Sequence, residues 1–219
     1  MPAMNAATGT GLAVRLKDET RGLHALAERS GVMADLLHGR IGLGSYCALL
    51  RNLQVVYAAL EAGLDQHPSD AGLRRLWRPE LRRLQALEQD LGRLHPGAWP
   101  AELPLSRAAT AYAERLRRLA QHQPTLLLAH AYLRYLGDLH GGQMLGRLVR
   151  QRFGLAGPAG TAFYSFGEPA QLEALKRDFR AGLDALDLTP AQADGFVAEA
   201  CEGFRLHQQL FDELQAHAG

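Results

Sequence analysis

Lys17, Arg21, His24 and Glu28 follow one another at steps of four, three and four, which sets two cations, an imidazole and a carboxylate on one face of a helix. Such a stripe reads equally as a solvated face of i,i+4 pairs, each contributing only ~0.2–0.5 kcal/mol. It also has a chemical reading. A neutral imidazole is a good iron ligand, and a carboxylate one turn on can hold its other N–H directly or through water. Cations one and two turns back can meet anionic groups on the same ligand.

A second constellation lies in the helical segment opened by Pro124, where Gly137, Gly141, Gly142 and Gly146 interrupt strong helix formers such as Leu126, Leu127, Leu128 and Ala129. Four interior glycines cost roughly 3–4 kcal/mol relative to alanine. Gly137 and Gly141, one turn apart, clear a strip that lets a neighbouring helix or a ligand approach the backbone, and the missing side chains permit a bend. Asp138 lies beside that strip and one turn after Arg134, so the carboxylate can be held by a cation while it orders water. A third pair, Lys176 and Arg180, shares a face but is by itself unremarkable. The last helix carries Phe204, His207 and Phe211, a stripe that reads as core packing, with His207 a core or rim histidine. Haem, with iron at its centre and propionates at its edge, has the layout that the first stripe would serve.

The elements that must position these groups are helices throughout. Apolar residues recur at helical spacing and no long alternating stretch competes, so the fold class is all-α. Helices are expected over Leu12–Arg29, in a short piece around Val32–Leu37, and from a Ser45 cap through Tyr46, Leu50, Leu53, Tyr57 and Leu60 to before Pro68. Others start at Pro79, near Ser106, at Pro124 (reaching Phe153), near Pro169, and at Pro190 after a Thr189 cap. Residues 154–160 form a glycine-rich loop.

The chain has 219 residues, 47% of them hydrophobic, which suits one domain over 12–219 after a disordered N-terminus, 1–11. With 24 Lys+Arg against 23 Asp+Glu, no global field favours nucleic acid or an acidic membrane. Cys47 and Cys201 lie outside any Cys-x-x-Cys spacing, which excludes covalent haem attachment and a disulfide framework and fits a cytoplasmic location. No apolar run approaches a membrane span.

The run Tyr132-Leu-Arg134-Tyr135-Leu-Gly137-Asp138-Leu-His140-Gly141-Gly142-Gln143 resembles the signature of the biliverdin-forming haem oxygenases. Leu16 to Glu28 resembles that family's proximal helix, Ala86-Leu-Glu88-Gln-Asp90-Leu91 its middle portion, and Leu210-Phe211-Asp-Glu213-Leu214 its final helix. These matches keep the family's order and cover roughly Leu12 to Leu214. Without a hydrophobic tail, the chain looks like the soluble, bacterial type.

The resemblance implies haem b (iron protoporphyrin IX) as substrate and cofactor, sandwiched between a proximal and a glycine-rich distal helix. It is opened to biliverdin, ferrous iron and carbon monoxide with O2 and an external electron donor such as a ferredoxin or a flavin reductase. A bilin-accepting photoreceptor is an implied downstream partner. His24 is implied as the iron ligand, with Glu28 anchoring it, and Lys17, Arg21, Lys176 and Arg180 as propionate-side cations. Gly137 and Gly141 are implied over the distal face, Asp138 as organiser of distal water with help from Arg134 and Tyr57, and Tyr132 and Phe204 as pocket lining.

His140 departs from the family pattern, which has a small side chain there, commonly serine. It is expected to turn outward or to the pocket edge, because an inward imidazole would work against ring opening. The competing readings are a haem-binding carrier or storage protein that leaves the ring intact, with His140 its main support, and a cofactor-free helical interaction domain.

Overall fold

The computed structural model describes residues 11–216, and among these the regular structure is helical. The expected disordered stretch 1–11 lies outside the described residues except for Gly11. The long helices are α1 (Leu12–Glu28), α3 (Leu43–Asp65), α5 (Leu84–Leu94), α7 (Arg107–His122), α9 (Gly137–Phe153), α10 (Pro169–Asp184) and α11 (Pro190–Ala216). Shorter pieces, α2 (Gly31–Leu37), α4 (Ala71–Leu76), α6 (Trp99–Glu102) and α8 (Leu127–Ala131), sit between them.

Several helix starts match the sequence expectation and others do not. α7 begins just after Ser106, as expected, and Ser106 Oγ caps it by accepting from Ala109 N at 3.0 Å. Ser45 caps nothing: α3 begins earlier, at Leu43 after Gly42, which puts Ser45 inside the first turn. Pro79 starts only a 3-10 turn, and α5 begins at Leu84. The short α4 was not expected; Asp70 caps it by accepting from Leu73 N at 2.8 Å.

The long helix expected from Pro124 to Phe153 is broken twice. Pro124–Leu126 is a 3-10 turn, and between α8 and α9 the backbone widens into a π-helical turn over Tyr132–Leu136. This one wide turn carries Arg134, and regular α geometry resumes at Gly137. Gly154, in the left-handed conformation, closes α9.

One core runs through the helices. α3 packs on α7 and α5, and α11 lies against α1, α2, α7 and α8. Gly31 lets α2 meet α11: its φ is +43°, and a Cβ there would overlap the Phe211 carbonyl. α1 buries Ala13, Leu16, Thr20 and Ala27 and is seated on α10, α2 and α11, with at most slight contact to α9. Its first turn is anchored from α10, where Asp184 Oδ1 accepts from Ala13 N at 2.8 Å. The space left between α1 and α9 is the cleft described next.

Two of the dispersed family matches have structural duties. Asp90 accepts from Ala162 N and Phe163 N, both at 2.8 Å, and so pins the turn Ala162–Tyr164 behind α9. Glu213 accepts from Arg107 N and Ala108 N, also at 2.8 Å, satisfying the open N-terminus of α7.

Candidate functional site

The cleft has two compartments, of about 400 Å³ and about 280 Å³, that share His24, Leu133, Gly137, His140 and Phe204. Together they fall in the size range of enclosed small-molecule sites. The first is cationic at its rim, with Lys17, Arg21 and Arg180, and is also lined by Tyr132. The second is walled by apolar side chains such as Met33, Leu49 and Phe211, with Arg134, Asp138 and His207 among them.

α1 supplies one wall. His24 is half-exposed, its Nδ1 stands 3.6 Å from Glu28 Oε1, and Phe204 meets the ring edge-on at 5.7 Å between centroids. At 3.6 Å the Glu28 contact is longer than a direct hydrogen bond, and one water beside the pair would bridge both groups. Nε2 is left for a ligand.

α9 supplies the opposite wall. A Cβ added at Gly137 or Gly141 would meet nothing within 4 Å. The cleared strip is therefore not filled by a neighbouring helix; it faces the cleft. Gly142 and Gly146 differ from this pair, since a Cβ at Gly146 would come within 3.2 Å of Tyr164 Cβ and one at Gly142 within 3.4 Å of the Tyr164 carbonyl oxygen. The four glycines thus divide into two that border open space and two that seat α9 on the turn held by Asp90.

Beneath the strip, Arg134 donates three ways: from Nη2 to Asp138 Oδ1 at 3.2 Å, from Nε to the Tyr57 hydroxyl at 3.0 Å, and from Nη1 to His207 Nε2 at 3.0 Å. The Tyr57 hydroxyl donates in turn to Asp138 Oδ2, without an intervening water. His207 is itself anchored on α11, donating from Nδ1 to the Gly203 carbonyl at 3.1 Å. Burial pushes the Asp138 carboxyl up, with Arg134 and Tyr57 pulling against it. Burial also works against the Arg134 charge, but Asp138 and Tyr57 outweigh it and the guanidinium stays protonated. His207 is held well below the usual imidazole range by burial and by Arg134, so it is neutral.

The sequence-predicted residues do not all converge. His24, Lys17, Arg21, Arg180, Tyr132, Gly137, Gly141, Asp138, Arg134, Glu28 and Phe204 line one or both compartments. Tyr57 is fully buried and meets the site only through Asp138 and Arg134. Lys176 lines neither compartment; its Nζ pairs with Glu173 at 2.7 Å. His140 lies at the edge of the cleft, exposed to solvent.

Sequence reasoning passed over a buried cluster next to the site. His130 donates from Nε2 to Glu199 Oε1 at 2.7 Å and accepts from the Tyr112 hydroxyl at Nδ1, 3.0 Å away. Arg115 grips both Glu199 oxygens at 2.7 and 2.6 Å, and the Tyr112 ring meets His207 edge-on at 5.0 Å. The available signal was His130, Arg134 and Asp138 at two successive steps of four.

An all-α chain with a cleft between two helices, an imidazole on one wall and bare backbone on the other, defines a helical protein with room for a flat small-molecule ligand. The chain matches the family model described as heme oxygenase over residues 10–213, and it belongs to that family. It is 36% identical to heme oxygenase 1 of Synechocystis sp. PCC 6803, across 94% of this chain and 85% of that protein. Heme oxygenase 1 of Pongo abelii is 34% identical, across 93% and 72%. The crystal structure of the Synechocystis enzyme in complex with heme superposes with a TM-score of 0.88, covering 95% of this chain and 94% of that one. That of heme oxygenase from Leptospira interrogans gives 0.88 at 32% identity, covering 93% and 100%.

Proposed function

We infer that this chain is a haem oxygenase, with haem b as both substrate and cofactor. The observation that carries the residue assignment is the juxtaposition across one cleft of His24 on α1 and the unfilled Gly137–Gly141 strip on α9. The residues fit the group: a flat ring needs a wall without Cβ atoms, and Gly137 and Gly141 leave that space open.

Haem, when bound, supplies the iron and the ring that is opened, with O2 and external electrons, to biliverdin, ferrous iron and carbon monoxide. His24 would hold the iron through Nε2, with Glu28 anchoring the other nitrogen through water. Lys17, Arg21 and Arg180 would take the propionates, Tyr132 and Phe204 would pack on the ring, and Lys176 would contribute charge from outside the lining. A histidine ligand exerts less electronic push than a thiolate. Asp138 faces the second compartment and is gripped from behind by Arg134 and Tyr57. Its role would be to order water there and to move a proton to the substrate side. The pinned carboxylate cannot swing forward without abandoning two buried partners.

The carrier reading loses its main support, because both His140 nitrogens are engaged at the cleft edge by Leu136 and Arg180. For the remaining partners we assign an electron donor such as a ferredoxin or a flavin reductase, with a bilin-accepting photoreceptor as a recipient of product. Among the described residues no helix is long and apolar enough to cross a membrane. Two free cysteines suit a cytoplasmic location, and 12–219 is taken as one domain.

Adding haem to the purified protein tests the function. The expected result is a Soret band that decays, with growth of biliverdin absorbance, once reductant and oxygen are supplied. A stable band under those conditions would sink the oxygenase reading.

A further inference from the structure

His140 stands where the two compartments meet and lines both. Its ring is held at each nitrogen: Leu136 O lies 2.5 Å from Nδ1, and Arg180 Nη2 reaches across from α10 to within 2.6 Å of Nε2. A guanidinium can only donate. Nε2 must therefore offer its lone pair, which places the ring proton on Nδ1, where it is donated to the Leu136 carbonyl. The imidazole is neutral and fixed in one tautomer. Around it stand Arg180, Lys176 and Glu173 of α10, and Lys17, Arg21 and His24 of α1 line the compartment it borders. Burial and the nearby cations disfavour a charged imidazole.

Arg180 has no carboxylate partner among the described residues, unlike Lys176, which pairs with Glu173, and Arg21, which pairs with Asp18. An arginine with a long flexible stem and no counter-ion would sample many rotamers; here one guanidinium nitrogen is tied to His140, and the other N–H groups remain for the first compartment.

We propose that His140 is a positioning residue: its Nε2 lone pair fixes the Arg180 guanidinium at the cleft mouth, and so decides where an acidic edge group of the ligand is gripped. The imidazole does its work on the cation, not on the oxygen-binding face. Serine at this position is too short to accept from Arg180 across the same gap, so this chain has exchanged a small side chain for a brace. The inference deepens the haem reading and rests on it.

Binding selectivity for free carboxylates tests it. Iron protoporphyrin IX and its dimethyl ester are titrated into the wild-type protein and into the His140→Ser, Arg180→Ala and double variants, and the ratio of the two affinities is read from the Soret band. Wild type should prefer the diacid, His140→Ser should lower that preference by about fivefold through weaker diacid binding alone, and the two substitutions should not add. An unchanged ratio in His140→Ser, or a full additional loss in the Arg180→Ala background, overturns the brace and leaves the haem reading standing. A wild-type protein that forms no Soret complex with either ligand overturns both.

Discussion

Asp138 and Tyr57, 81 residues apart in the chain, meet directly in the interior, the tyrosine hydroxyl donating to one carboxylate oxygen while Arg134 donates to the other. The carboxylate thereby keeps only its cleft-facing edge for water. Asp138→Asn, which leaves Arg134 an acceptor, should retain the Soret complex yet slow biliverdin formation by about 100-fold, the scale of a lost general acid. Initial rates at matched haem occupancy decide it, and an undiminished rate removes the carboxylate from the mechanism.

His24 and Glu28 should behave unequally. His24→Ala deletes the only imidazole that α1 offers to the cleft, so the Soret band is expected to weaken sharply. Glu28→Gln acts at one remove, across 3.6 Å, and should reduce haem affinity by about tenfold at most. Equal losses in the two variants would contradict the assignment of ligand and anchor.

The two cleft glycines allow a test in which stability and binding move in opposite directions. Gly141→Ala adds a methyl group where nothing stands within 4 Å, so it should stabilise the haem-free protein by up to ~1 kcal/mol through helix propensity. The same methyl intrudes on the cleft and should weaken haem binding. Calorimetry without haem and a Soret titration check the pair; a destabilised protein would mean that the strip serves helix packing after all.

Glu199 sets part of the acid limit of the fold. Burial alone would raise its pKa, but His130 and Arg115 outweigh burial and bring it to about 2 from an ordinary 4.5. The folded value lies below the unfolded one, so this contribution is fully present above pH 4.5 and is lost as the pH falls towards 2, amounting to roughly 3 kcal/mol in all. His207, kept neutral by burial, adds a separate loss that begins below its ordinary value of 6.5. Glu199→Gln should be less stable than wild type near neutrality, and the gap should close between pH 4.5 and 2 in denaturant melts. A gap constant across that window would refute the Glu199 assignment.

Much of the site was legible because a helix brings residues three and four apart onto one face. The Lys17–Glu28 stripe, the Arg134–Asp138 pair and the Gly137–Gly141 strip are all of that kind. The four glycines looked alike in sequence, yet only two border the cleft, because Asp90 holds Tyr164 against the other two from a different helix. Lys176 and Arg180 likewise share a face, but a glutamate one turn before Lys176 draws it aside while His140 holds Arg180 at the rim. The π-turn at Tyr132–Leu136 had no marker in composition, since leucine, tyrosine and arginine are compatible with an ordinary helix.

What the chain determined by itself was therefore local: the helical period, the cap at Thr189, and the groups that travel together on one helix face. Tertiary structure alone decided the pairings between helices, Tyr57 with Asp138, Arg134 with His207, and His140 with Arg180. The physical reason is range. Face-sharing follows from the rise and twist of a single helix, whereas a contact across 40 to 81 residues depends on how several packed helices set their separation and rotation at once.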